Sequence, residues 1–263
     1  MTIALGMIGT NGMVLAADTE ESWGSELKIA ASKIIIADRV LGQSSSGMCI
    51  TGAGDGHYLD TIKMEIFDEV YSSPEWTYEG TGKLLEAKLK RFYKAHVIPF
   101  LSDPAGSPEF ELLIGLNMGR VGASSVGSAW ATAKNTIRPI IGYEAIGVGA
   151  GYAKALLSRL YSSPMEIKST CAMAVHIISC VKHLVPLCGK QTQLVALVEG
   201  KARYAKQGGV DQLEKVMERY LLSESRVFRS VISSGGDELP NLIRDLESLR
   251  SEIEAINLFD EPD

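Results

Sequence analysis

The opening stretch, MTIALGMIGTNGMVLAAD, restricts the fold more than any other part of the chain. Two apolar runs of strand length, residues 2–8 and 13–17, flank Asn11-Gly12. Asn-Gly tolerates the positive φ angles of a tight turn and is a favoured hairpin pair. Antiparallel pairing of the two runs would carry Asp18 back beside Thr2. A second reading has Asp18 and Thr19 simply opening a loop. Removal of Met1, the expected fate of a methionine before a small residue, would leave Thr2 with a hydroxyl and a free α-amine on one residue. That is a nucleophile carrying its own base.

After a polar interval, Lys33 stands directly before Ile34-Ile35-Ile36. A lysine at the mouth of a buried strand can snorkel to solvent. Alternatively its ammonium sits beside Asp18 and the terminal amine. There the positive charge would lower neighbouring pKa values and favour an amine able to accept the hydroxyl proton.

Asp38-Arg39 reads as a turn leading into residues 40–43, and residues 48–54 as a strand ending in small residues. Asp55 reads as an N-cap for a helix over residues 57–70, whose Leu59, Ile62, Ile66, Phe67 and Val70 recur at helical spacing. Three glycines in residues 52–56 lack the Gly-Lys-Ser/Thr ending of a phosphate loop, so close packing of strand on helix is the simpler reading. A second helix is expected from near Thr81 to Val97, stopping before Pro99. Residues 101–108, with two prolines, read as a loop. Strands follow over residues 111–130 and 144–147, then a helix from the 149–153 segment, then another opening near Pro164. Residues 194–198 close the β pattern. Helices in blocks between strand blocks argue against alternating βαβ units and for an α+β fold, with two stacked sheets and a helix pair on each outer face.

From about Val210 the pattern becomes helical. Leu239, Leu242, Leu246, Leu249, Ile253 and Ile256 advance by threes and fours, a short heptad seam. We therefore expect a domain over residues 1–200 and a helical extension over 201–263, packed on that domain or on a neighbouring subunit.

A net charge of −6 offers no basic field for a phosphate backbone, so nucleic acid is not the expected partner. No stretch approaches the length of an apolar membrane span, and no secretory signal pattern opens the chain. A soluble cytoplasmic protein is expected. Cys49, Cys171, Cys180 and Cys188 form no Cys-x-x-Cys pair and read as reduced, buried thiols.

Several pieces together resemble the β-type subunits of proteasomes and their bacterial relatives among the N-terminal-nucleophile hydrolases. They are Thr2 behind a removable Met, residues 12–18, Ser32-Lys33-Ile34, Gly52-Ala53-Gly54-Asp55 and residues 145–153, spread over about three quarters of the chain. The resemblance implies a four-layer αββα sandwich and assembly of like subunits into rings or stacked arcs. It also implies attack by a terminal threonine on a peptide or protein substrate, without cofactor or metal; any unfoldase or regulator is left open. Carried over by position, Thr2 is the nucleophile, Asp18 the acid that holds the lysine, and Lys33 the electrostatic partner of the amine. Gly147 is the nearest counterpart of the oxyanion-donating amide, and Glu20, Ala31 and Cys49 are the pocket positions. Glu20 would favour a basic substrate side chain.

The departures bear on the same chemistry. Val148 replaces the serine of a Gly-Ser-Gly segment, Val185 stands where a second acid is expected, and Cys188 where a serine is expected. Three functions are compatible with this pattern: a threonine-type peptidase or amidase, a catalytically silent assembly subunit, and an acyl transferase or ligase of the same superfamily.

Overall fold

The computed structural model describes residues 2–23, 27–41, 44–73, 76–100, 108–120, 123–163, 165–232 and 239–260. The chain forms two compact units, Met1–Tyr204 and Ala205–Asp263.

The first unit opens with the hairpin expected from Asn11-Gly12. Strands β1 (Ile3–Gly9) and β2 (Gly12–Asp18) pair antiparallel in a register that sets Ala4 opposite Ala17. β10 (Tyr143–Gly147) joins the outer edge of β1. β11 (Thr192–Val198) and β12 (Lys201–Tyr204) continue beyond β2, so the first sheet runs β10-β1-β2-β11-β12. A second sheet is built from β5 (Ile35–Leu41), β6 (Ser44–Gly54), β7 (Phe110–Arg120), β8 (Ala123–Ala133) and β9 (Thr136–Pro139), in that order. All of these pairings are antiparallel. A separate two-stranded ribbon, β3 (Glu20–Trp23) with β4 (Leu27–Ala30), follows directly on β2.

Side-chain alternation along the strands builds the layers. On β2, Met13, Leu15 and Ala17 face the second sheet and meet Leu113, Ala129 and Ala131 in the core between the sheets. On β7, Leu112, Ile114 and Leu116 point the other way, onto helices α1 (Gly56–Ser72) and α2 (Tyr78–His96). Those helices supply Leu59, Ile62, Ile66, Leu85, Leu89 and Phe92 to that core. Helices α3 (Ala150–Leu160) and α4 (Ile167–Leu184) pack on the first sheet. The order is helix, sheet, sheet, helix: the αββα sandwich.

Several local readings change. Asp38-Arg39 is no turn, because β5 runs straight through it and pairs with β6 from Ile35 to Leu41. Arg39 uses its length to reach the Ser73 carbonyl after α1, which a turn assignment from polarity alone misses. Asp55 stands at the N-cap of α1 without a side-chain capping bond, whereas Thr77 caps α2 by accepting the Gly80 N–H. A short 3-10 turn, Ile98–Phe100, follows α2. Residues 101–107 of the expected loop and the Pro164 helix start lie outside the described residues.

The second unit is a helical hairpin of α5 (Gln207–Ile232) and α6 (Leu239–Ala255). The heptad reading is visible in the burial of Leu242, Leu249 and Ile256, one every second turn. Arg219–Glu252 and Arg226–Asp245 bridge the helices seven residues apart on each, which fixes their antiparallel register.

Candidate active site

The β1–β2 register decides where Asp18 goes. With Ala4 opposite Ala17, Asp18 lands across from Ile3 and its Oδ1 accepts the Ile3 N–H at 3.1 Å. Its Oδ2 accepts the Gly189 N–H at 2.9 Å, from the turn after α4. Asp18 has no solvent exposure, and a carboxylate so placed is tolerable only because it is hydrogen-bonded and paired.

The pair is Lys33. Its Nζ lies 2.9 Å from Asp18 Oδ1, donates to the Glu20 carbonyl at 2.5 Å and donates to the Thr2 hydroxyl. Lys33 is therefore a buried cation with three oxygen partners, and the snorkelling alternative is set aside. Its backbone is fixed from the first sheet. Gln193 Oε1 on β11 accepts both the Lys33 N–H, at 2.9 Å, and the Ile34 N–H, at 3.0 Å. Gln193 Nε2 in turn donates to Ser32 Oγ at 2.8 Å. The sequence reading passed over Gln193, although a glutamine inside the apolar strand TQLVALV is the signal that could have found it.

Gly147 ends β10 against Thr2. It adopts φ +89°, and a Cβ there would overlap the Thr2 carbonyl oxygen. The Gly147 N–H is not open in this structure: it donates to Glu111 Oε2 on β7 at 3.2 Å. Glu111 is a second residue the sequence reading did not single out, since it stands on the opposite sheet. Gly149, the N-cap of α3, is held tightly between elements, for a Cβ there would lie 2.5 Å from Val181 Cγ1 and 3.0 Å from Ile3 Cβ.

The three pocket positions are spread out. Glu20 is buried, and its Oε1 lies 2.7 Å from Lys28 Nζ, a charge contact rather than an aligned hydrogen bond. Lys28 also donates to the Pro186 carbonyl at 2.8 Å. Ala31 is half-buried, its N–H bonded to the Thr19 carbonyl. Cys49 faces the core between the sheets, where burial pushes its thiol well above the ordinary range.

The residues at the departures take three different environments. Val148 is exposed, and Val185 is buried at the C-terminal cap of α4. The Cys188 thiol is buried too, and its pKa is pushed up to about 12, chiefly by desolvation and then by the Asp18 carboxylate. Among the described residues no cluster of three or more His, Cys, Asp or Glu could hold a metal ion, and no helix is long and apolar enough to cross a membrane.

A hydroxyl at the start of an edge-flanked strand, a buried lysine against it and an αββα frame define the fold of the N-terminal-nucleophile hydrolases, in its proteasome-like form. Solved structures of Anbu share it. The Gly-1 mutant of Anbu from Hyphomicrobium sp. strain MC1 superposes with a TM-score of 0.72 at 13% identity, covering 89% of this chain and 98% of that one. Anbu, described as an ancestral beta-subunit, from Yersinia bercovieri gives 0.65 at 14% identity, covering 86% and 97%. The helical assembly of the Anbu complex from Pseudomonas aeruginosa gives 0.69 at 10% identity, covering 88% and 98%. No protein-family model and no curated protein matches the sequence.

Proposed function

We propose that this chain is a subunit of a proteasome-like homo-oligomeric assembly that turns over no amide bond at Thr2. The observation that carries the silent state is what fills the two positions where the resemblance expects an acid and a serine: Val185 is buried and apolar, and the Cys188 thiol is buried and stays protonated. Neither can relay a proton to or from an α-amine, a step general acid–base catalysis requires near the working pH. The assembly is supported by the shared fold with Anbu, one member of which was solved as a helical assembly. Sedimentation of the purified chain, joined to intact mass after exposure to an epoxyketone or acylating probe, tests both halves. A large particle that gains no probe mass is the expected result; a monomer, or a chain labelled at Thr2, overturns it.

One contact favours a second reading. The Thr2 hydroxyl is held by Lys33, which is held by Asp18. With Met1 removed, the hydroxyl proton would pass to the α-amine while Oγ1 forms a bond to an amide carbonyl carbon. The C–N bond then breaks and the leaving amine takes the proton. Water adds to the resulting ester, releases the acid and restores the hydroxyl, giving a threonine-type peptidase or amidase. An amine in place of water would make the same centre an acyl transferase. Labelling that disappears in Thr2→Ala would establish this reading over the first.

A further inference from the structure

The contact between Glu111 and Gly147 joins the two sheets at the threonine end of the first. Glu111 lies on β7 opposite Ala53 of β6, and the Ala53 methyl is among the nearest atoms to the missing Gly147 side chain. Gly147 in turn presses on the Thr2 carbonyl. The carboxylate is exposed near the start of β7, the central strand of its sheet, yet it accepts the Gly147 N–H rather than facing solvent alone. A backbone N–H that donates to a carboxylate oxygen is by the same chemistry a donor to the oxygen of a carbonyl becoming tetrahedral.

We infer that Glu111 is a gating residue for the Thr2 centre: its carboxylate occupies the Gly147 amide and so keeps that donor from an incoming acyl oxygen. The inference rests on the reading of Thr2 as a nucleophile and adds why the chain as described is closed. A substrate opens the site by displacing the carboxylate, which costs one charge-assisted hydrogen bond. Because Glu111 is exposed and contributes no core packing, its removal leaves the fold intact.

The test uses the full chain with Met1 removed. Labelling by an epoxyketone probe is followed by intact mass in wild type, Glu111→Ala and Glu111→Gln, with Thr2→Ala/Glu111→Ala as the control. Amide hydrogen exchange is measured in parallel on the peptide containing Gly147. Glu111→Ala should expose the Gly147 amide to exchange and label faster by on the order of tenfold or more, since the loss of one such donor costs about 10²–10³ in rate elsewhere. Glu111→Gln, whose carbonyl still accepts the N–H, should stay close to wild type on both readouts. Equal labelling of wild type and Glu111→Ala would remove the gate while leaving the nucleophile. An exposed amide with no labelling in either would remove the nucleophile and the gate together. Unchanged exchange in Glu111→Ala would show that the carboxylate does not hold the amide.

Discussion

Lys33 Nζ and Asp18 Oδ1 stand 2.9 Å apart in a site where neither side chain is more than a tenth exposed. A surface ion pair contributes about 0–1 kcal/mol, but removing one partner of a buried pair strands the other charge and costs about 3–5 kcal/mol. Lys33→Met should therefore destabilise the first unit by about that amount, as should Asp18→Ala, which also orphans the Ile3 and Gly189 N–H groups. The double variant Lys33→Met/Asp18→Ala should lose less than the sum of the two single losses. Urea unfolding of the four proteins gives the coupling; additive losses would mean the two charges do not depend on each other.

Glu144 tests the electrostatics away from the threonine. Burial opposes its ionisation, but Lys154 at 2.6 Å, Arg138 and the Ala145 N–H together hold its pKa below the ordinary glutamate value. A depressed folded-state pKa gives stability that is present above the unfolded-state value of about 4.3 and is lost as pH falls through the folded-state value. Glu144→Gln should flatten the acid limb of the stability curve as pH falls below about 4.3. Urea melts across that range read it directly, and an unchanged acid limb would contradict the assignment.

The Cys188 thiol, with its pKa pushed up to about 12, should resist alkylation in the folded protein. Iodoacetamide at about pH 8, where a free thiol is partly thiolate, should modify Cys188 only after unfolding. The sign for stability is opposite to that of a carboxylate. The unfolded thiol loses its proton near pH 8.5 and the folded one does not, so this group's contribution falls as pH rises above that point. Peptide mapping after timed labelling distinguishes Cys188 from Cys49, Cys171 and Cys180.

Gly147→Ala should cost about 2–3 kcal/mol. Its φ of +89° is unfavourable for an L side chain, and the added methyl would overlap the Thr2 carbonyl. Thermal unfolding should show a lower Tm, whereas Gly151→Ala, where a Cβ meets open space, should leave Tm unchanged or slightly raised.

Much of this was legible before any coordinates, and the reason is period. Two apolar runs of strand length, residues 3–8 and 13–17, with Asn11-Gly12 between them point to a hairpin, and a hairpin of known turn length has one register. That register alone carries Asp18 to Ile3. Helical spacing likewise announced α1, α2, α4 and the α5–α6 hairpin, with end points shifted by a few residues. Polarity misled at Asp38-Arg39, because a strand at a sheet edge can carry charge on its outer face.

The sequence by itself determined the hairpin, the layer order and the candidate trio Thr2, Asp18 and Lys33, because each follows from local periodicity or from a residue type in a rigid place. Only the tertiary structure decided what closes around them. Gln193, Gly189 and Glu111 come from β11, the turn after α4 and the opposite sheet, between 36 and 171 residues from the partners they bind. No local pattern encodes such distances. They are set by how two twisted sheets stack, and that stacking puts the Glu111 carboxylate on the amide beside Thr2.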